Sequence, residues 1–89
     1  MNYSYPIDET WTKAEIIDVV NFFSLVERTY EDGIAREDLL LAYERFKRVV
    51  TSKSEEKQLD AKFQKDSGYS SYRAVQKAKA ASPGAKIKM

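Results

Sequence analysis

The residue types best placed for chemistry lie close together in residues 66–79, which read DSGYSSYRAVQKAK. Two adjacent serines, Ser70 and Ser71, precede Arg73 and Lys77, and the two basic residues are four positions apart. Residues at that spacing share one face of a helix, and the free amide groups at a helix N-terminus attract anions. These four residues are therefore a candidate anion-binding site. The alternative, which we favour, is that a serine caps a helix whose basic face is solvated.

A second chemical pattern is the spacing of Ser54 and Lys57, which matches the serine and lysine of certain acyl-transfer enzymes. Those enzymes need two further motifs that this sequence lacks. The exposed first turn of a helix also fails to desolvate a lysine or to supply an oxyanion hole. We predict no catalytic residue in this segment.

The amino-acid composition excludes most other kinds of catalytic and metal-binding site. The 89 residues include no cysteine and no histidine. This excludes thiolate nucleophiles, disulfides, the usual tetrahedral zinc sites and the commonest general base. We therefore expect a protein that is not an enzyme and that binds neither a metal ion nor a cofactor.

The chain as a whole has the composition of one folded domain, residues 1–89. Hydrophobic residues make up 43% of it, which is too many for a disordered chain. The N-terminus has no basic run followed by an apolar stretch, so we predict no signal peptide. The longest apolar-rich stretch, residues 16–26, is too short to cross a bilayer. We expect a cytoplasmic protein with no membrane contact.

Charge is distributed unevenly, although the net charge is only +1. Residues 1–44 carry three basic and ten acidic side chains, a net charge of −7, and residues 45–89 carry twelve basic and four acidic ones, a net charge of +8. Opposite halves attract within one molecule, between two copies or toward a foreign partner. The basic second half also makes nucleic acid or the ribosome a candidate partner.

Local signals predict four helices. Thr12 and Glu15 have the spacing of a capping box, and the helix that begins there should end before Gly33. Another capping box begins at Ser52, and Gly68 should end the helix that follows. The predicted helices span residues 12–32, 35–50, 53–67 and 71–81.

The remaining segments predict no extended sheet, because none shows the alternating pattern of a strand. We expect residues 1–11 to form an N-terminal arm that packs on the helices and residues 82–89 to form a mobile tail. The predicted fold class is all-α, a compact bundle of about four short helices.

Several large apolar side chains lie off the main apolar faces of the first two helices. They are Ile17, Phe22, Leu25 and Leu41. The N-terminal arm, which carries Tyr3, Tyr5, Pro6 and Ile7, could cover those on the first helix, and we favour that cover. The alternative is that these four residues form a surface for a second protein or a second copy.

Seven short segments of the chain also resemble one family of small bacterial proteins, known as uncharacterised protein family 0223 and sometimes called YktA-like. The segments are Tyr5-Pro6, Trp11, IIDVVNFF, AYERFK, SKSEEK, SGYSSYR and the final IKM. The resemblance implies a compact helical domain. It implies no activity, and it supplies no catalytic or ligand-binding residues.

These observations name no biological role. They favour a non-catalytic protein that acts through protein–protein contacts. The first alternative is a nucleic-acid-associated or ribosome-associated protein that binds through its basic half, and an enzyme is the last.

Overall fold

The first helix, α1, begins at a capping box. In the computed structural model, which describes residues 5–89, α1 spans Lys13–Glu31. The Glu15 amide donates to Thr12 Oγ1 at 3.2 Å, and the Thr12 amide donates to Glu15 Oε1 at 2.8 Å. These two bonds satisfy amide groups that a helix start leaves without partners.

Three further helices follow, and each begins and ends where the sequence predicts to within one residue. They are α2 at Arg36–Val49, α3 at Lys53–Ser67 and α4 at Ser71–Ala80. Ser52 caps α3 by accepting a hydrogen bond from the Glu55 amide, and Gly68 ends it in the left-handed region, at φ +81°. The four-helix, mainly α-helical fold is confirmed.

The C-terminal segment differs from the prediction of a mobile tail at residues 82–89. Lys86–Ile87 forms a strand, β2, that pairs antiparallel with β1 at Ile34–Ala35, and Ile34 lies opposite Ile87. The Ile87 side chain is only 1% exposed. Burial of this side chain fixes the chain end. A pair of two-residue strands carries no periodic signal that a sequence can show.

The turn before β1 needs a glycine because the chain end lies against it. Gly33 has φ +88°, and a Cβ there would lie 2.7 Å from Lys86 Cε and 3.1 Å from the Ile87 carbonyl oxygen. Gly33 therefore both ends α1 and makes room for β2.

Four phenylalanines join α1 to α2 and α3 in the core. Phe22 packs on Phe46 with ring centroids 4.6 Å apart, and Phe23 packs on Phe63 at the same separation. None of these four side chains is more than 1% exposed. Tyr5 of the N-terminal arm stacks outside this cluster, 6.5 Å from Phe23 and 6.4 Å from Phe63.

The packing of the core shows that one residue predicted to face a partner, Phe22, is instead buried. Phe22 is 1% exposed, because it packs on Phe46 of α2 beside Phe23, so α1 buries a wider arc than the single apolar stripe. Leu25 is half-buried against the core, whereas Ile17 is 60% exposed and Leu41 is 52% exposed. Residues 5–11 of the arm leave Ile17 uncovered, and Tyr3 lies outside the described residues.

The N-terminus of α4 is held to the end of α1 by a stacked tyrosine pair. Tyr30 and Tyr69 have ring centroids 4.4 Å apart, and the Ser70 amide donates to Tyr30 Oη at 3.0 Å. At the other end of α4, Arg36 Nε donates to the Ala78 carbonyl oxygen at 2.8 Å. These contacts fix α4 beside α1 and α2.

Replacing Ile87 by alanine should lower the free energy of unfolding by about 2–4 kcal/mol, because it leaves a cavity beside β1. The neighbouring change Lys88→Ala, at an exposed side chain, should cost far less. Chemical denaturation of both variants measures the difference. Equal stability of the two would contradict the packed position of the chain end.

Candidate functional site

A cleft with a volume of about 140 Å³ opens between α2, α3 and α4. Its apolar wall includes Phe22 and Val75, and its polar wall includes Glu56, Asp60 and Ser71. Six further side chains border it: Tyr43, Lys53, Lys57, Tyr72, Gln76 and Lys79. The cleft therefore places carboxylates, lysines and aromatic rings around one small space.

Asp60 and Ser71 form the link between α3 and α4 on the polar wall. Ser71 Oγ donates to Asp60 Oδ1 at 2.6 Å, and the Ser71 side chain is buried. Burial raises the pKa of Asp60 to about 6; the hydrogen bond from Ser71 opposes this shift, and the nearby Glu56 charge adds to it. The Asp60 carboxyl group therefore titrates at about pH 6.

Tyr43 and Glu56 form a second polar link, between α2 and α3. Tyr43 Oη donates to Glu56 Oε2 at 2.8 Å. Burial raises the pKa of the Tyr43 phenol, and the hydrogen bond to Glu56 raises it further. The phenol therefore remains a neutral donor. Lys47 and Lys79 lie over its ring, with Nζ 5.4 Å and 5.3 Å from the centroid, within range of a cation–π contact.

The cleft supplies hydrogen-bonding groups and a titrating carboxyl, but its serine has only a carboxylate as its partner. A serine nucleophile is normally activated by an imidazole or a lysine, and its tetrahedral intermediate needs oxyanion donors. Ser71 instead directs its proton to Asp60 in a bond that joins two helices. This geometry suits the binding of a small polar group better than acyl transfer.

Asp60 was not among the residues that the sequence singled out. It lies three residues before Phe63 and four after Glu56, so a helical projection of α3 places all three on one side. A carboxylate on the buried side of a helix is the signal that could have identified it.

The four residues of the candidate anion site enter separate interactions. Ser70 Oγ accepts from the Arg73 amide at 3.1 Å and caps α4, whereas Ser71 turns toward Asp60. Lys77 Nζ donates to the Lys88 carbonyl oxygen at 2.5 Å, and the Arg73 side chain is exposed. The structure does not bring these groups together around one position.

A second candidate surface lies on the outer side of α1 and α2. A shallow groove of about 210 Å³ there is lined by Asn21, Leu25, Asp38, Leu41, Ala42 and Arg45. Ile17 continues the α1 row, because residues 17, 21 and 25 recur at intervals of four. We refer to Ile17, Leu25, Asp38, Leu41 and Arg45 as the outer patch. It retains three of the four residues predicted to face a partner.

Two negative findings concern the described part of the chain. None of its helices is long and apolar enough to span a membrane. Residues 5–89 also contain no group of three or more acidic side chains placed to hold a metal ion.

Comparison with known proteins identifies the family. Residues 2–87 match the model of an uncharacterised protein family, UPF0223. The chain belongs to this family. It is 61% identical over 79 residues to a UPF0223 protein of Oceanobacillus iheyensis, a match that covers 89% of this chain and 90% of the relative. A UPF0223 protein of Bacillus mycoides is 46% identical over the full length of both chains, 89 residues.

A further relative, a UPF0223 protein of Staphylococcus aureus, is 49% identical over 88 residues, 99% of this chain and 97% of the relative. The predicted family is therefore confirmed. The function of the family is unknown, so these relatives supply no catalytic or ligand-binding residues. Any functional conclusion has to come from the surfaces described above.

Replacing Asp60 by asparagine should change how stability depends on pH. The folded-state pKa of Asp60 is raised, so its protonated form favours the fold, and this contribution is lost as pH rises from about 4 through about 6. Asparagine cannot ionise. The free energy of unfolding of the variant, measured relative to that of the wild type, should therefore rise by on the order of 1–2 kcal/mol between pH 4 and pH 8, allowing for solvent screening.

Chemical denaturation at several pH values measures this difference. Asp66→Asn, which removes an exposed negative charge from the same helix, is the control for a general charge effect. A stability difference for Asp60→Asn that does not change with pH would contradict the buried environment of this carboxyl.

Proposed function

We propose that this protein is a non-catalytic cytoplasmic protein that acts by binding another protein surface through the outer patch. The observation that carries the proposal is the exposure of Leu41, at 52%, in the groove that also contains Leu25, together with Ile17, 60% exposed, about two turns before Leu25 on α1. Single exposed apolar residues are ordinary, but several grouped around a groove indicate an interaction site.

The arrangement of polar groups around the patch supports a protein partner. Asp38 and Arg45 border the groove, so its rim carries both signs of charge around an aliphatic centre. Apolar centres with polar rims are typical of protein interfaces. A partner that presents aliphatic side chains and both charges would match it.

The non-catalytic part of the proposal rests on composition and on the cleft. The chain has no histidine or cysteine, and the cleft serine is bonded to a carboxylate that holds two helices together. Catalysis by this cleft would have to rely on its carboxylates, lysines and tyrosines.

Replacing Leu41 by glutamate should weaken partner binding at least about tenfold, because it places a charge in the apolar centre of the contact. The matched control is Ile7→Glu, since Ile7 is 47% exposed and lies outside the patch. Cross-linking in the native cell identifies the partner. Calorimetry with the purified partner then measures the affinity of each variant. If Leu41→Glu binds as tightly as Ile7→Glu, the outer patch is not the contact.

A second candidate function, association with nucleic acid, is favoured by one feature of the cleft. Tyr72 is 64% exposed and borders the same space as Lys53, Lys57 and Lys79. An exposed aromatic ring among basic side chains can stack a base while the lysines contact phosphates. Glu56 and Asp60 oppose such binding, since their charges repel phosphate.

Fluorescence anisotropy with a labelled single-stranded RNA tests this second candidate. It predicts binding at low salt that falls steeply as salt increases and weakens about fivefold or more in Tyr72→Ala. Absence of binding at low salt would exclude it, as would equal affinity of the wild type and Tyr72→Ala.

A further inference from the structure

The outer patch contains two charged side chains of opposite sign that form no ion pair within residues 5–89. Asp38 and Arg45 are both exposed and both line the groove. Neither has an oppositely charged group within 4.0 Å among residues 5–89. Other charges of α2 are already paired, since Arg36 contacts Glu37 and Arg48 contacts Glu44.

The spacing of these two side chains is symmetric about the apolar centre of the patch. Asp38 and Arg45 are seven residues apart on one side of α2, a separation of about 10 Å along the helix axis. Leu41 and Ala42 lie midway between them. If two α2 helices cross antiparallel at this midpoint, Asp38 of each copy meets Arg45 of the partner subunit.

We propose that the outer patch binds a second copy of this chain, in an isologous dimer centred on Leu41 with antiparallel α2 helices. This inference rests on the proposed function and names its partner. In such a dimer one patch contacts the same patch on the other copy, so the pair of Asp38 with Arg45 forms twice, once on each side of the two-fold axis. Leu41 packs across the two-fold axis, and Leu25 extends the apolar contact on either side.

The charge along α2 selects the antiparallel arrangement. Its first turn carries Glu37 and Asp38, and its last turn carries Lys47 and Arg48. Antiparallel copies place acidic turns against basic turns, whereas parallel copies would oppose like charges. The patch is small, so we expect a weak dimer, with a dissociation constant on the order of 10–100 µM.

Sedimentation velocity of the full chain, from about 10 µM to about 1 mM, tests the dimer and its geometry. The wild type should dimerise across this range. Asp38→Arg and Arg45→Asp should each weaken dimerisation at least about tenfold, because each opposes two pairs of like charges across the axis. Asp66→Arg, a matched reversal at an exposed position on α3, should leave it unchanged.

A mixture of the two patch variants provides the sharpest outcome. In a dimer of Asp38→Arg with Arg45→Asp, both contacts across the axis again join opposite charges. The mixture should therefore associate to within about threefold of the wild type, although each variant alone does not. Circular dichroism and thermal melting verify that each variant is folded.

Two results overturn the inference. One is a wild type that remains monomeric to about 1 mM. The other is a dimer that is insensitive to both charge reversals or that the mixture does not restore. The proposed function is separable from it: if the wild type is monomeric but Leu41→Glu still loses affinity for a different purified protein, the patch binds that protein and only the dimer is wrong. If the wild type does not dimerise and Leu41→Glu does not lose affinity for any purified partner, both proposals fail.

Discussion

The packing of four phenylalanines between α1, α2 and α3 is the interaction on which the rest of this structure depends. Phe22 and Phe23 are neighbours on α1, yet each is buried, one against Phe46 of α2 and the other against Phe63 of α3. Adjacent residues project about 100° apart on a helix, so burial of both requires a wide arc of α1 to be covered, here by side chains of α2 and α3. This constraint leaves the side of α1 that carries Ile17 for the outer patch.

The same constraint explains why α3 and α4 meet through polar groups. Phe63 is the only buried residue of α3, so little apolar area remains to hold α4 against it. The Ser71 to Asp60 bond links α3 to α4, and the stacked pair of Tyr30 and Tyr69 holds the start of α4 to the end of α1. A carboxyl group with a raised pKa is thus expected where a helix with few buried apolar side chains packs at the edge of a core. The raised pKa requires no catalytic explanation.

Sequence patterns predicted the helices well, because their signals are local. The capping box at Thr12, the serine cap at Ser52 and the glycine at position 68 act within a few residues, and each lies where the pattern indicates. At Ser52 the structure shows the serine half of the predicted capping box, with no return bond from Glu55 among the described residues. The missed features depend on residues far apart in the chain. The pairing of Ile34 with Ile87 and the burial of Phe22 follow from how the helices pack, and the sequence of any one segment does not show that packing. Ile17 and Leu41 were identified because their exposure follows from helical geometry alone, whereas Asp38 and Arg45 gain meaning only when the groove is seen.

Amide chemical shifts followed on dilution provide the most direct measurement of whether the outer patch joins two copies of the chain. Concentration-dependent shifts should cluster at residues 17–25 and 38–45, where two copies meet, and the amides of Glu56, Asp60 and Ser71 in the cleft should remain unmoved. Shifts that cluster around the cleft and spare α1 and α2 would contradict this, as would a spectrum that does not change with concentration.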